Sequence, residues 1–331
     1  MRARLPPRPG GYDWDDYNRA YRGGGLFRIR GLGIQGKKRL AIAGGDVVAT
    51  VDPVAPGARY RTVEQVPLES FERALVCTPD DAKPEILAYL LSHGKHVLVE
   101  KPLMVTDEDA RQLAGLVRAN RAACYTAYNH RFEPHFVNLK ETLESGRLGR
   151  IYLARFFYGN GTAQDVKRSP WRDRGLGVLP DIGSHLLDTM LWLFGPSCAP
   201  FEAWSVDRFE TQAPDHVVFG SMGDPRLVCE AALVSWRNTF TADVYGERGS
   251  AHINGLCKWG PSHFIVRARV LPSGRPSETL QTLQCADPTW EREYRHFDAL
   301  CRSGGTNLDH DVWIRSALDG IAQTIGERVV S

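Results

Sequence analysis

Residues 179–194 carry two carboxylates and an imidazole at helical spacing. Asp181, His185 and Asp188 lie three and four positions apart, so one face of a helix would present all three. Histidine titrates near neutral pH and a neighbouring carboxylate fixes its tautomer, so this stripe could transfer a proton. Taken alone, the pattern is more typical of a structural histidine beside a capping aspartate. The remainder of the chain has to distinguish these two interpretations.

The composition is that of an ordinary globular protein. The chain has 331 residues, 43% of them hydrophobic and 24% charged, and its formal net charge is +2. This length favours two domains, and the small charge gives no general attraction to nucleic acid or to a membrane. Seven cysteines without a C-x-x-C pair indicate reduced thiols, not a disulfide framework or a zinc site. No apolar run has transmembrane length. Together with the cysteine pattern, this leads us to expect a cytoplasmic protein without a bound metal.

A glycine-rich turn lies near the start of the chain. Gly31, Gly33 and Gly36 form a G-x-G-x-x-G pattern between a predicted strand and a predicted helix, the context of a dinucleotide-binding turn. Gly31 would permit the tight turn, and Gly33 would let the backbone approach a pyrophosphate at the helix N-terminus. Gly36 would allow the helix to pack closely on the strand. Ile34 and Gln35 lie between these glycines and belong to the same predicted cofactor site.

A carboxylate follows the second predicted strand. Asp52 comes directly after residues 47–51, at a distance from Gly33 that suits contact with the adenosine ribose hydroxyls of a dinucleotide. A carboxylate at this position would repel a 2′-phosphate. The sequence therefore favours NAD as the cofactor over NADP.

Strands and helices alternate as far as about residue 127, which predicts a doubly wound parallel sheet with right-handed crossovers. In such sheets a ligand lies beyond the carboxyl ends of the strands. Several polar and turn residues fall at these predicted ends, in addition to Gly31 and Asp52: Thr78, Pro79, Glu100, Lys101, Tyr128 and Asn129.

The second half of the chain has a different pattern. Consecutive strand-like runs after a first helix predict an α+β domain with a large, mostly antiparallel open sheet of about six strands. We therefore divide the chain into an extension (1–24), a dinucleotide-binding domain (25–126) and an α+β domain (127–331). A long polar loop precedes residue 179, and such loops are often functional. Its candidate substrate contacts are Trp171, Arg172 and Arg174.

The motifs in combination resemble the glucose–fructose oxidoreductase / inositol dehydrogenase / MocA family, from about residue 26 to the end. The resemblance is carried by G-x-G-x-x-G, by Glu100-Lys101-Pro102, by the run from Asn129 through Arg131 to Pro134, and by Asp181-x-Gly183-x-His185-x-x-Asp188. It implies a Rossmann domain that binds NAD(P), and a second domain that carries the substrate pocket and an open sheet for oligomer contacts. The implied chemistry is hydride transfer at a carbinol or ketone carbon of a sugar, nucleotide sugar or cyclitol.

The resemblance also implies roles for single residues. Lys101 and His185 would form the acid–base pair, supported by Asp181, and the Lys101–Pro102 peptide would be cis. Family members often carry histidine where this chain has Lys83. Asp188 would accept a substrate hydroxyl or pair with a neighbouring group on the helix face. Tyr128, Asn129 and Arg131 would line the nicotinamide and substrate side, or have structural roles.

Two other functions stay open at this stage. One is a glycoside hydrolase that uses the same site with a retained NAD, which is reduced and regenerated in each cycle. The other is a catalytically silent protein that senses NAD and binds another protein. The partners we expect are a carbohydrate-like small molecule and further copies of the chain, as a homodimer or homotetramer through the C-terminal sheet.

Overall fold

A computed structural model describes residues 27–170, 172–196 and 199–330. The predicted extension, residues 1–24, and the predicted substrate contact Trp171 lie outside these ranges. None of the helices within them is both long enough and apolar enough to cross a membrane.

The first sheet has six parallel strands in the order β14-β5-β4-β3-β1-β2. Its strands are β1 (Phe27–Arg30), β2 (Val47–Val51), β3 (Arg73–Val76), β4 (His96–Glu100), β5 (Ala123–Ala127) and β14 (Gly305–Thr306). The crossover helices are α1 (Ile34–Ala43), α2 (Lys83–Ser92) and α3 (Asp107–Ala119). Apolar clusters cover both faces of this sheet. The predicted doubly wound arrangement is confirmed.

Local sequence signals explain where these helices begin. At the start of α3, Thr106 Oγ1 accepts a hydrogen bond from the Asp109 amide at 3.0 Å, and the Asp109 carboxylate accepts one from the Thr106 amide at 3.2 Å. This capping box satisfies two amides that the helix itself cannot pair. By contrast, α1 begins after Gly33 without a side-chain cap, so its first amides remain available.

The second sheet has eight strands in the order β13-β12-β11-β10-β6-β9-β8-β7, antiparallel except for the pair β6–β9. They are β6 (Ile151–Gly159), β7 (Phe201–Asp207), β8 (His216–Ser221), β9 (Arg226–Ala232), β10 (Thr239–Gly246), β11 (Gly249–Asn254), β12 (Ser262–Ala268) and β13 (Glu278–Leu283). The predicted large, mostly antiparallel sheet is confirmed. Strand β13 was missed because its side chains lie almost entirely on the surface and form no hydrophobic pattern.

Among the described residues, the helices that contact the second sheet lie on one of its faces. They are α4 (Pro134–Glu144), α6 (Ser184–Phe194) and α8 (Leu308–Val330), while the short α5 (Ala163–Lys167) lies in the loop after β6. In β10, Phe240, Ala242 and Val244 are buried towards the helices, and the alternate side chains stay partly exposed on the open face. This alternation is the period-two pattern that a half-buried strand requires.

The chain returns to the first domain near its end. Helix α7 (Thr289–Ser303) packs against α1 and β5, and β14 adds a parallel edge strand to β5. Residues 289–306 lie within the predicted α+β domain (127–331), yet in the structure they complete the first domain. A strand of two residues carries too little pattern to reveal this crossing.

Candidate active site

The glycine turn has the geometry that its sequence predicts. Gly31 has a φ of +91°, and a Cβ there would lie 2.4 Å from the Cys77 carbonyl oxygen. A Cβ on Gly36 would lie 1.7 Å from the Gly31 carbonyl oxygen, so any side chain at either position would displace the turn. Around Gly33, in contrast, a Cβ would meet nothing within 4 Å. The turn therefore leaves open space at the N-terminus of α1, where the helix dipole favours an anion.

Asp52 ties the end of β2 to this turn. Its carboxylate accepts hydrogen bonds from the amides of Leu32, Val54 and Ala55 at 2.8, 2.9 and 2.8 Å. Burial opposes ionisation, but these amides lower the pKa of the Asp52 carboxyl below its usual value. A carboxylate offers about four acceptor positions, so one remains for a ribose hydroxyl.

The remaining cofactor candidates have different surroundings. The Thr78 hydroxyl oxygen is buried and has no hydrogen-bond partner within the described ranges, as expected of a group that waits for a ligand. Glu100 is buried and pairs with Arg39 at 2.7 Å, whereas Asn129 donates to Thr289 at 2.7 Å. The open space at Gly33 and the unpaired Thr78 hydroxyl both fit a bound dinucleotide. Within the described residues, no group of three or more His, Cys, Asp or Glu side chains could hold a metal ion.

Lys101 and Asp181, eighty positions apart in the chain, meet at the carboxyl edge of the first sheet. Lys101 directly follows β4, and its peptide bond to Pro102 is cis, as the resemblance implies. Its ammonium donates to the Asp181 carboxylate at 2.6 Å and to the Asp181 carbonyl at 2.9 Å. Arg172 lies 3.6 Å from the other carboxylate oxygen. The charge of Lys101, helped by Arg172, lowers the pKa of the Asp181 carboxyl against the effect of burial.

His185 lies in the first turn of α6, directly after the π-helical segment Leu179–Gly183. Its ring stacks on that of His130, with centroids 4.1 Å apart. Burial lowers the pKa of His185 well below its usual value, and the charges of Lys101 and Lys258 lower it further. The imidazole is therefore neutral at neutral pH, and one of its ring nitrogens is a hydrogen-bond acceptor. Its Nδ1 is buried without a partner among the described residues.

Arg131 and Asp188 pair with each other in the protein interior. The Arg131 guanidinium contacts both Asp188 oxygens, at 2.9 Å from Nε to Oδ2 and through Nη2 to Oδ1, and the Asp188 side chain is 1% exposed. Tyr128 is also buried, and its hydroxyl has no partner within the described part of the chain. This geometry gives Arg131 and Asp188 a structural ion pair, one of the two roles considered for Asp188.

Comparison with known proteins identifies the family. The model described as an oxidoreductase family with an NAD-binding Rossmann fold matches residues 47–128, and the model of the GFO/IDH/MocA C-terminal domain matches residues 136–252. The chain belongs to the GFO/IDH/MocA family. The resemblance inferred from the motifs is confirmed.

Individual relatives are distant. The chain is 28% identical to 1,5-anhydro-D-fructose reductase of Ensifer adhaerens, over 62% of this chain and 68% of that protein. It is 22% identical to inositol 2-dehydrogenase of Rhizobium meliloti (strain 1021), over 59% and 61%. The first curated relatives are matched over only 35–55% of their own length. A solved levoglucosan dehydrogenase in complex with NADH has the same fold, with a TM-score of 0.77 at 20% identity over 92% of this chain and 98% of that one.

Lys83 marks a departure from the family pattern close to the site. Its buried ammonium donates to the Asp80 carboxylate and to the Pro102 carbonyl, each at 2.5 Å. Pro102 directly follows Lys101, so Lys83 connects the start of α2 to the backbone of the segment that carries Lys101.

Further side chains border the same space and were not selected from the sequence. One of them, His130, lies inside a family motif, so a signal for it existed. The others lie on β6 and on the turn after β11, whose patterns indicated only a sheet. These residues are His130, Tyr158, Lys258 and Trp259.

Proposed function

We propose that the protein transfers a hydride between a nicotinamide dinucleotide and a carbinol or ketone carbon of a sugar, nucleotide sugar or cyclitol. The observation that carries this proposal is the Lys101 ammonium held on Asp181 beside a neutral His185, at the sheet edge where the glycine turn also lies. Membership of an oxidoreductase family with an NAD-binding fold supports it. So do the names of two relatives, a reductase of 1,5-anhydro-D-fructose and an inositol dehydrogenase.

The glycine turn and Asp52 would hold the dinucleotide. Its diphosphate would lie at Gly33 against the first amides of α1, and the Asp52 carboxylate would accept a ribose hydroxyl. We propose NAD as the preferred form, because the ionised Asp52 would repel the additional phosphate of NADP. The nicotinamide ring supplies the hydride chemistry, whereas the protein supplies position and proton transfer.

The residues of the site divide the proton chemistry. In oxidation, the neutral His185 imidazole would accept the proton of the substrate hydroxyl, and the Lys101 ammonium would stabilise the oxygen as negative charge develops. In reduction, the same groups would return a proton to that oxygen. Asp181 would hold the Lys101 amine in position, with Arg172 on its outer oxygen. Proton and hydride transfer require the reacting atoms to be held in close alignment. By fixing Lys101, Asp181 and Arg172 would contribute to this alignment.

We further propose that copies of the chain associate through the open face of the second sheet. That face carries partly exposed polar side chains, including Arg155 and Asp243 with 3.4 Å between their charged groups. The predicted cytoplasmic location stays a prediction.

The direct test is an absorbance assay of NADH formation with purified protein over a panel of sugars, nucleotide sugars and cyclitols. We expect oxidation of at least one of them, with NAD supporting a rate more than tenfold above NADP. Glycoside cleavage without accumulation of NADH would instead support the hydrolase alternative. Nucleotide binding without turnover of any kind would support the silent, NAD-sensing alternative.

A further inference from the structure

A second lysine–aspartate pair faces the stacked imidazoles. Lys258 lies in the short turn Cys257–Trp259, and its ammonium is 2.8 Å from the Asp287 carboxylate. The charge of Lys258 lowers the pKa of both His130 and His185, and so does the charge of Lys101. Both lysines therefore act electrostatically on the same pair of rings, yet the proposed chemistry uses only Lys101.

A chain of hydrogen bonds that begins at Asn129 positions Asp287, the partner of Lys258. Asn129 donates to the Thr289 hydroxyl at 2.7 Å, and that hydroxyl donates to the Asp287 carboxylate at 2.6 Å. The Thr289 amide also donates to Asp287, at 3.0 Å. Asp287 is therefore rigid, and its other oxygen receives Lys258. Such pre-organisation is typical of a group that binds a ligand.

The Lys258 ammonium has N–H groups that no described residue accepts. An ammonium carries three N–H groups, and the structure shows one acceptor for it among the described residues, the Asp287 carboxylate. Its side chain is 20% exposed, so the head group is not sealed in the interior. Two N–H groups are left to bind oxygen atoms of a ligand.

Aromatic rings connect Lys258 with the catalytic histidine. The Lys258 ammonium lies 5.6 Å from the centroid of the Trp259 ring, and Trp259 lies 5.9 Å from Tyr158. Tyr158 in turn lies 6.1 Å from His185. The Trp259 and Tyr158 planes are tilted by 35°, so these rings form an angled apolar wall. Ligand sites combine such apolar walls with a few polar groups that orient the ligand. The wall and the lysine are therefore suited to one ligand.

We propose that Lys258 is a substrate-binding residue that donates hydrogen bonds to the hydroxyls of an uncharged polyol ring lying along Trp259. This inference rests on the proposed function and narrows its substrate class to neutral sugars and cyclitols. Asp287 already balances the charge of Lys258, and a substrate phosphate or carboxylate at this end would approach the Asp287 carboxylate. Uncharged hydroxyls meet no such repulsion.

The test compares Lys258→Met and Lys258→Arg with a matched control, Lys140→Met. Lys140 is also a partly exposed lysine, lies 5.6 Å from the Trp192 ring centroid and pairs with Glu144 at 3.2 Å, but does not border the site. Hydrogen bonds from a charged donor contribute about 1.5–3 kcal/mol, so we expect Lys258→Met to raise the KM for the polyol about 10- to 150-fold. Lys258→Arg should keep part of the affinity. The Kd for NADH should change less than twofold in all three variants.

Two further readouts separate substrate binding from a structural role. Ring analogues that each lack one hydroxyl identify the group that Lys258 binds. One deoxy analogue should bind the wild type more weakly than the parent polyol does. The same analogue and the parent polyol should bind Lys258→Met equally well. The variant should also shift the acid limb of the pH profile of kcat/KM upwards, because it removes a cation that lowers the pKa of His185. The other groups facing His185 stay in place: Lys101, His130, Tyr128 and Tyr158.

The possible outcomes distinguish this inference from the proposed function. If the wild type oxidises polyols and Lys258→Met matches it in KM and pH profile, only the inference is overturned. A preference above tenfold for phosphorylated or carboxylated rings would also overturn it. If the wild type neither binds nor oxidises any polyol in the presence of NAD, both fail. Should Lys258→Met fail to fold, Lys258→Gln, which can still bond to Asp287, takes its place in the same assays.

Discussion

Two ion pairs on one helical segment have equally buried cations but differ in the exposure of their carboxylates. Asp181 binds Lys101 at the mouth of the site, and its side chain is 51% exposed. Asp188, seven residues further on, binds Arg131 and is 1% exposed. Both pairs bring a cation from the first half of the chain to an aspartate of this segment. The sequence pattern is the same for both carboxylates, so burial and partner geometry decide what each of them does.

The difference separates activity from stability. An ion pair whose carboxylate is open to water contributes less to folding, because water and salt partly screen it. A buried pair has lost its hydration, so the removal of one partner leaves an uncompensated charge in the interior. We therefore expect changes at Lys101 and Asp181 to alter turnover, and changes at Arg131 and Asp188 to alter the free energy of unfolding.

The largest effect is expected at Lys101. Lys101→Met removes the group that we propose to stabilise negative charge on the reacting oxygen, and the loss of such a group typically lowers kcat about 10²- to 10³-fold. The Kd for NADH, measured by fluorescence titration, should stay within threefold of the wild type. Full turnover in this variant, with intact NADH binding, would contradict the assignment of Lys101.

The next effect concerns Asp188. Asp188→Asn leaves the buried Arg131 without its anion, so the free energy of unfolding should fall by about 3–5 kcal/mol. Urea denaturation followed by circular dichroism measures it, and Arg131→Met should give a loss of similar size. A folded, fully stable Asp188→Asn protein with a strongly raised KM would favour the other role considered for this residue, contact with substrate.

The parts of the site that the sequence predicts are those encoded by short motifs. Gly31 and Gly36 are recognisable because their turn physically excludes a side chain. Motif and spacing predict Lys101, Asp181 and His185; in the structure Lys101 binds Asp181, and the charge of Lys101 lowers the pKa of His185. Strong periodicity likewise made the parallel sheet predictable, since strands that are buried on both faces are almost continuously apolar.

Other parts of the site depend on packing between distant segments. Lys258 and Asp287 are twenty-nine positions apart, and neither belongs to a motif. The roles of Asp188 and Arg131 could not be separated from those of Asp181 and Lys101, because both carboxylates occupy the same predicted helix face. Burial distinguishes them, and burial depends on the whole second domain, including a sheet whose last strand has no hydrophobic pattern.

A third ionic cluster has more carboxylates than cations. Arg39 on α1 pairs with Glu100 and with Glu293, both at 2.7 Å, so two carboxylates share one guanidinium. Burial, with the neighbouring Glu100 charge, raises the pKa of Glu293 to about 7 despite the opposing effect of Arg39. A carboxyl with a raised pKa in the folded state favours folding below its unfolded pKa. That contribution is lost as the pH rises through about 7.

Glu293→Gln should therefore flatten the dependence of stability on pH. The side chain stays neutral, so the difference in unfolding free energy between variant and wild type should become about 1–3 kcal/mol more favourable to the variant from pH 4.5 to pH 8. Urea denaturation of both proteins at several pH values measures this difference, and contributions from other groups cancel. Parallel pH curves for the two proteins would show that Glu293 stays ionised in the folded protein.

The smallest stability change is expected at Asp181, from the same substitution as at Asp188. Asp181→Asn removes a carboxylate that is half exposed, so water can partly replace it beside Lys101, and the free energy of unfolding should change by about 1 kcal/mol. Turnover should nevertheless fall about tenfold or more, because a misplaced catalytic group lowers the rate even when its own chemistry is intact. The two aspartates lie on one segment and receive the same change, so differences in local helix propensity contribute little to the comparison. A stability loss at Asp181 as large as that at Asp188 would mean that Lys101 and Asp181 hold the two domains together, and their proximity could then no longer be attributed to catalysis alone.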